Sequence, residues 1–91
     1  MKYEQLDAIV ESMRDELIET LSRWISVPSV KADACGENAP FGEANRRVLD
    51  MALADARRFG FETRDVDGYA GDITMGHGEQ TLGMLCHLDV V

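Results

Sequence analysis

The feature that most constrains the fold is the apolar run at residues 81–91, which reads TLGMLCHLDVV. It follows a glycine-rich turn and lacks the alternation of polar and apolar side chains that a half-exposed strand shows. A run of this kind is typical of a strand covered on both faces, and such strands lie inside α/β sheets. The sequence therefore predicts a buried strand here and an α/β fold for the chain.

Two side chains in this run can carry chemistry, His87 and Asp89. Successive side chains of a strand point to opposite faces, so these two share one face at a separation of about 7 Å along the chain. The Asp89 carboxylate can then accept the proton of one imidazole nitrogen and leave the other nitrogen free to bind a metal. A buried, hydrogen-bonded pair without a metal is the commoner occurrence, and the residues alone leave both interpretations open.

Residues 87–91 read HLDVV and resemble the HxDVV signature of the zinc-dependent metallopeptidases that include the Xaa-His dipeptidases, carnosinases and aminoacylases. In that family the histidine of the signature is a metal ligand and the aspartate orients it. The resemblance implies that His87 is a metal ligand and that Asp89 has the catalytic role of orienting it. It also implies a site for two Zn²⁺ ions, with Mn²⁺ or Co²⁺ as alternatives because imidazole and carboxylate ligands suit all three.

Three further segments are similar to family motifs and occur in the family order. Residues 26–30 resemble the IPSV segment, residues 38–42 the APFG loop of the bacterial dipeptidases, and residues 66–71 the VDNYAG segment. Gly68 stands where asparagine is frequent in the family. The APFG likeness favours the dipeptidase branch.

The resemblance implies that residues 1–91 are the N-terminal part of an incomplete metallopeptidase catalytic domain. The parent protein would hydrolyse dipeptides through a metal-activated water, and a homodimer of that parent is an option. The segment alone is expected to be inactive, because the family's bridging aspartate, glutamate base and distal histidine are absent from it. Two alternatives stay open: an amidohydrolase of the same family that acts on acylated amino acids, and a non-catalytic small α/β module.

Hydrophobic periodicity predicts two helices in the first two thirds of the chain. Apolar residues spaced three and four apart predict a helix over residues 6–26, ended by Pro28, with its apolar stripe in the core. A second helix is expected over residues 43–59 and is closed by Gly60. Asp55 falls among the charged residues off the apolar face of that helix.

Three short strands are expected after the helices. Residues 61–66 and 69–75 have strand-forming side chains, and the Asp-Gly pair between them predicts a tight hairpin turn. The third strand is the apolar run at residues 81–91. The predicted architecture is thus two helices followed by three strands, the opening portion of a zinc-peptidase α/β domain.

Composition restricts the partners of the chain. Nine Lys and Arg against seventeen Asp and Glu give a formal net charge of −8, which opposes binding to nucleic acid or to anionic membrane surfaces. Without an apolar run of transmembrane length or a signal-peptide pattern, the sequence predicts a cytoplasmic protein with reduced thiols. The family resemblance, not the composition, implies a small peptide substrate. Cys86, on the strand face opposite His87, is expected to be a small core residue without a catalytic role.

Overall fold

The computed structural model describes residues 2–91, which form three helices followed by a two-stranded antiparallel sheet. Helix α1 spans Tyr3–Ser12, α2 spans Arg14–Ile25 and α3 spans Glu43–Arg58, and the strands are β1, Glu62–Val66, and β2, Ala70–Thr74. The described chain is a small α/β module. Its element count differs from the predicted two helices and three strands.

The helix predicted over residues 6–26 is divided in two at Met13. Met13 has φ −97° and ψ 1°, outside the helical region, and its amide donates to the Val10 carbonyl at 3.0 Å. The helical ladder begins again with the Leu17 amide, which donates to the Met13 carbonyl at 2.9 Å. Neither α1 nor α2 has a buried residue, so no continuous buried face holds the two helices in line.

The apolar stripe of α1 and α2 is exposed, so the prediction that it lies in the core is wrong for these residues. Leu17 is 63% exposed and Leu21 is 53% exposed. The described residues place no second layer against this stripe, and a helix buries only the face that another element covers. The buried apolar side chains are Val27, Ala39, Val48, Leu49, Ala52, Leu53 and Ala56.

Helix α3 is the centre of the core and ends as predicted at a glycine cap. Gly60 has a positive φ of 94°, and its amide donates to the Arg57 carbonyl at 2.9 Å. The next amide, that of Phe61, donates to the Ala56 carbonyl at 3.0 Å. This pair of hydrogen bonds is the Schellman pattern, which favours glycine because of its left-handed backbone.

The hairpin after α3 is confirmed. Its strands pair in antiparallel register from Glu62 opposite Thr74 to Val66 opposite Ala70. Asp67 and Gly68 both have positive φ, 53° and 78°, as a type I′ turn requires, and their side-chain types explain why the chain turns there. On β2, a Cβ on Gly71 would lie 2.9 Å from methyl groups of Leu49 and Leu53, so the missing side chain lets the hairpin close onto α3.

Residues 81–91 form no strand, and the prediction of a third, buried strand is wrong. A strand needs a neighbour to pair with its backbone, and within residues 2–91 β1 and β2 pair only with each other. The segment instead lies at the surface without regular secondary structure, and Leu85 is fully exposed. Cys86 is also exposed, contrary to its predicted place in the core. Among residues 2–91, no helix has the length and apolar character needed to cross a membrane.

Candidate functional site

His87 and Asp89 lie in contact, although no strand aligns them. The Nδ1 atom of His87 is 3.1 Å from Oδ1 of Asp89 and 3.1 Å from the backbone oxygen of the same residue. Both side chains are open to solvent, with 82% of the imidazole and 52% of the carboxylate side chain exposed. His87 and Asp89 therefore form an exposed pair at the surface, whereas the strand prediction implied a buried pair.

The contact favours one form of the His87 ring. Both atoms that face Nδ1 are oxygens of Asp89, and a carboxylate or carbonyl oxygen can only accept a hydrogen bond. The neutral imidazole satisfies them by carrying its proton on Nδ1, which leaves the lone pair on Nε2. Within residues 2–91, Nε2 makes no hydrogen bond, so this nitrogen is accessible to a ligand. An imidazole in this form can bind a metal ion.

The described residues contain one candidate metal ligand and no cluster of ligands. No group of three or more His, Cys, Asp or Glu side chains within residues 2–91 is placed to hold a metal ion. A metal site in a protein ordinarily needs three or four protein ligands, and a two-metal site needs more. His87 and Asp89 thus fit a ligand and its orienting carboxylate, while the remaining ligands would have to come from elsewhere.

Asp55 is a buried carboxylate at the centre of a polar cluster that the sequence analysis did not predict. The residue is 6% exposed, and its carboxylate accepts hydrogen bonds from Arg23 at 3.0 and 3.1 Å, from Trp24 Nε1 at 2.8 Å and from Arg58 at 3.1 Å. The spacing of residues along α3 could have predicted that Asp55 is buried. Asp55 lies three residues after Ala52, which is on the buried face of α3, so helical spacing turns it inward.

The electrostatics of this cluster favour a charged carboxylate. Burial raises the pKa of Asp55, but the hydrogen bonds from Trp24, Arg58 and Arg23 outweigh it, so the pKa lies below its usual value. An open depression of about 410 Å³ lies over the cluster. Its lining residues are Glu16, Glu19, Thr20, Arg23, Asp55 and Arg58. Because Asp55 is saturated by these donors, we assign it a structural role in joining α2 to α3.

A second polar cluster fixes the loop at residues 31–42 to the hairpin. Arg46 of α3 donates to the Asn38 carbonyl at 3.0 Å and to the Asp65 carboxylate at 2.6 Å, and it also pairs with Asp50. The hydrogen bond from Arg46, followed by one from the Gly68 amide at 2.9 Å, lowers the pKa of Asp65. In return, the hydrogen bond to Asp65 leads the effects that raise the pKa of the Arg46 guanidinium.

This cluster holds the segment that resembles the APFG loop against the turn that follows β1. The Phe41 ring meets the Tyr69 ring edge to face, with centroids 5.7 Å apart. A shallow depression of about 310 Å³ lies between loop and turn. Its lining residues are Ala34, Gly36, Glu37, Asn38, Pro40, Asp67 and Tyr69. The loop at residues 31–42 is therefore held against the hairpin by both polar and aromatic contacts.

The chain is similar to bacterial proteins that are named putative dipeptidases. It is 43% identical over 83 residues to proteins of Staphylococcus aureus strains USA300 and COL, each named "putative dipeptidase". The match covers 90% of this chain but 18% of each relative, so the chain spans less than a fifth of the length of these proteins. No protein-family model matches the chain.

Proposed function

We propose that this chain is the opening segment of a metal-dependent dipeptidase and that it contributes one metal ligand, His87, to the catalytic site. Two independent observations support the proposal. The relatives that match nearly the whole chain are named as dipeptidases. The His87 ring also meets Asp89 through Nδ1, which leaves Nε2 available as a ligand. The second observation carries the assignment of residues.

In this proposal Asp89 has the catalytic role of orienting the ligand. Its carboxylate accepts the Nδ1 proton at 3.1 Å, which fixes the tautomer and raises the basicity of Nε2. The divalent cations, Zn²⁺ by preference with Mn²⁺ or Co²⁺ as substitutes, would activate a water for attack on the peptide bond of a dipeptide. His87 and Asp89 thus account for one corner of a two-metal site.

The proposal includes the inactivity of residues 1–91 by themselves. One histidine does not fix two metal ions, and no further cluster of ligands exists within residues 2–91. The names of the relatives favour dipeptides over acylated amino acids as the substrates of the parent protein. A homodimer of the parent and a cytoplasmic location belong to the same proposal.

The test is a Zn²⁺ titration of the 91-residue chain, followed by NMR signals of its two histidines, His77 and His87. Zn²⁺ should broaden or shift the ring signals of His87 at lower concentrations than those of His77. The variant His87→Ala should lose the tighter binding, whereas the matched control His77→Ala should keep it. Equal Zn²⁺ responses of the parent chain and of His87→Ala would contradict the proposal and favour the non-catalytic module.

A further inference from the structure

Ser29 attaches the segment that carries His87 and Asp89 to the rest of the fold. Its surface is fully buried, and its hydroxyl donates a hydrogen bond of 3.2 Å to the Leu88 carbonyl. Its own carbonyl accepts a hydrogen bond of 3.1 Å from the Val90 amide. The two hydrogen bonds therefore lie on either side of Asp89.

The backbone around Ser29 is itself held on the core. Val27, two residues earlier, is 4% exposed. The Asn45 side-chain amide, on the first turn of α3, donates 3.0 Å hydrogen bonds to the carbonyls of Val30 and Phe41. A continuous set of contacts therefore runs from α3 through Ser29 to the backbone that flanks Asp89.

These two hydrogen bonds are the attachment of residues 81–91 to the remainder of residues 2–91. Apart from them, the hydrogen bonds of the segment within that range are the ones between His87 and Asp89. Leu82, Met84 and Leu85 are each more than four-fifths exposed, whereas Leu88 and Val90, on either side of Asp89, are half-buried. Ser29 therefore makes the hydrogen bonds that fix the backbone on both sides of Asp89.

We propose that Ser29 is a positioning residue for the metal-ligating histidine. By fixing the backbone at Leu88 and Val90, it keeps the Asp89 carboxylate at Nδ1 of His87 and so leaves Nε2 unprotonated for a divalent cation. The role in cation binding rests on the function proposed above. The role in holding the His87–Asp89 contact rests on the hydrogen bonds alone.

The experiment compares Ser29→Ala with Ser26→Ala in the 91-residue chain. Ser26 is a matched control, because its exposed hydroxyl donates only to the Arg23 carbonyl of its own helix. Ser29→Ala removes the hydroxyl hydrogen bond to the Leu88 carbonyl and keeps the backbone carbonyl that accepts from Val90. Because one of the two hydrogen bonds that hold the segment is lost, amide exchange at Val90 should become about fivefold faster. The ¹⁵N ring shifts should show less of the Nδ1-protonated form at His87. Zn²⁺ binding should weaken by about tenfold or more, as when an orienting partner is removed.

The outcomes separate the two proposals. If Ser29→Ala matches Ser26→Ala in Val90 exchange and in the His87 tautomer, the positioning role is wrong. If Zn²⁺ does not distinguish His87 from the internal reference His77 in the parent chain, the proposed function fails, and the exchange and tautomer measurements still decide the role of Ser29.

A second variant covers the case in which Ser29→Ala loses the dispersed signals of α3 and the hairpin. Val90→Pro removes the amide that donates to Ser29 and leaves the buried serine unchanged. The His87 tautomer should shift in the same direction while the signals of α3 and the hairpin stay in place. An unchanged tautomer in Val90→Pro would overturn the positioning role.

Discussion

The indole Nε1 of Trp24 donates a hydrogen bond of 2.8 Å to the buried Oδ2 of Asp55, and this contact joins α2 to α3. The guanidinium of Arg23, the residue before Trp24 in α2, donates hydrogen bonds to both oxygens of the same carboxylate. Since α2 has no buried residue, a polar junction holds it on the fold where apolar packing would be usual. The stability of this junction should depend strongly on Asp55.

Replacing Asp55 by alanine should lower the free energy of unfolding by about 2 kcal/mol, because the Trp24 indole loses its partner in a part-buried site. The arginines lose less, since each is half exposed and can return to water. Urea unfolding followed by circular dichroism measures the change. Asp50→Ala is the control on the same helix: its exposed ion pair with Arg46 should contribute less than about 1 kcal/mol. Equal losses in the two variants would contradict the structural role of Asp55.

The chain should lose stability in acid. The pKa values of Asp55 and Asp65 both lie below their usual value, so the folded chain binds these protons less tightly than the unfolded chain does. Their contribution is complete above the ordinary carboxyl pKa of about 4 and is lost as the pH falls through the lower folded values. Urea midpoints should therefore fall below about pH 4, and less steeply in Asp55→Asn. A midpoint that rises on acidification would be inconsistent with these shifts.

The elements that could be predicted are those with local signals. Gly60 closes α3 and the Asp67–Gly68 pair forms the turn, because each depends on the backbone preferences of one or two residues. The strand at residues 81–91 failed for the opposite reason. An apolar run becomes a strand only when another strand pairs with its backbone. Such pairing is a non-local contact, which the local pattern of apolar residues does not reveal.

Because the apolar stripe of α1 and α2 is exposed, truncating a leucine there should destabilise the fold much less than truncating a buried leucine of α3. Leu53→Ala on α3 should lower the free energy of unfolding by about 2 to 4 kcal/mol, because Leu53 is 4% exposed and packs on the hairpin at Gly71. The same change at Leu17, which is 63% exposed, should alter it by less than about 0.5 kcal/mol. Denaturant unfolding of both variants measures the contrast. A comparable loss at Leu17 would show that α2 is covered in solution.

In the candidate site, as in the fold, local contacts could be predicted from the sequence and contacts between distant residues could not. His87 and Asp89 are two residues apart, so their contact could be expected from the chain itself. Ser29 lies 59 residues from Leu88, and no spacing in the sequence brings the two together. Asp55 was placed with the polar residues by its charge, although its helical position turns it inward. Its charge indicated an exposed residue and its helical position a buried one. Asp55 is buried because three residues on two helices donate hydrogen bonds to its carboxylate.

Removing the Asp89 carboxylate should weaken metal binding without affecting the fold. In Asp89→Ala, the Nδ1 proton of His87 loses its side-chain acceptor, and Zn²⁺ affinity should fall by about 10- to 100-fold, as for other partners of ligating histidines. Asp89 is exposed, so the urea midpoint should stay close to that of the parent chain. Zn²⁺ titration followed at the His87 ring measures the affinity. Asp72→Ala is the control: this half-buried aspartate on β2 pairs with Arg64 and does not contact His87, so the variant should bind Zn²⁺ as the parent does.

Two glycines with nearly the same backbone provide the sharpest test of how the loop is held on the hairpin. Gly68 and Gly76 have φ of 78° and 76°, so alanine is strained at both, by about 1 to 2 kcal/mol. A Cβ on Gly68 would in addition lie 1.8 Å from the Asn38 carbonyl oxygen, whereas one on Gly76 would meet nothing within 4 Å. Gly68→Ala must therefore push away the loop that Arg46 fastens at Asn38.

We expect Gly76→Ala to cost no more than the backbone strain and Gly68→Ala to cost at least about 2 kcal/mol beyond it, as for other overpacked sites. Amide signals of residues 31–42 should shift or broaden in Gly68→Ala and stay unchanged in Gly76→Ala. Urea unfolding and amide spectra of the two variants give both measurements. Equal unfolding free energies would mean that the loop does not lie against the turn in solution.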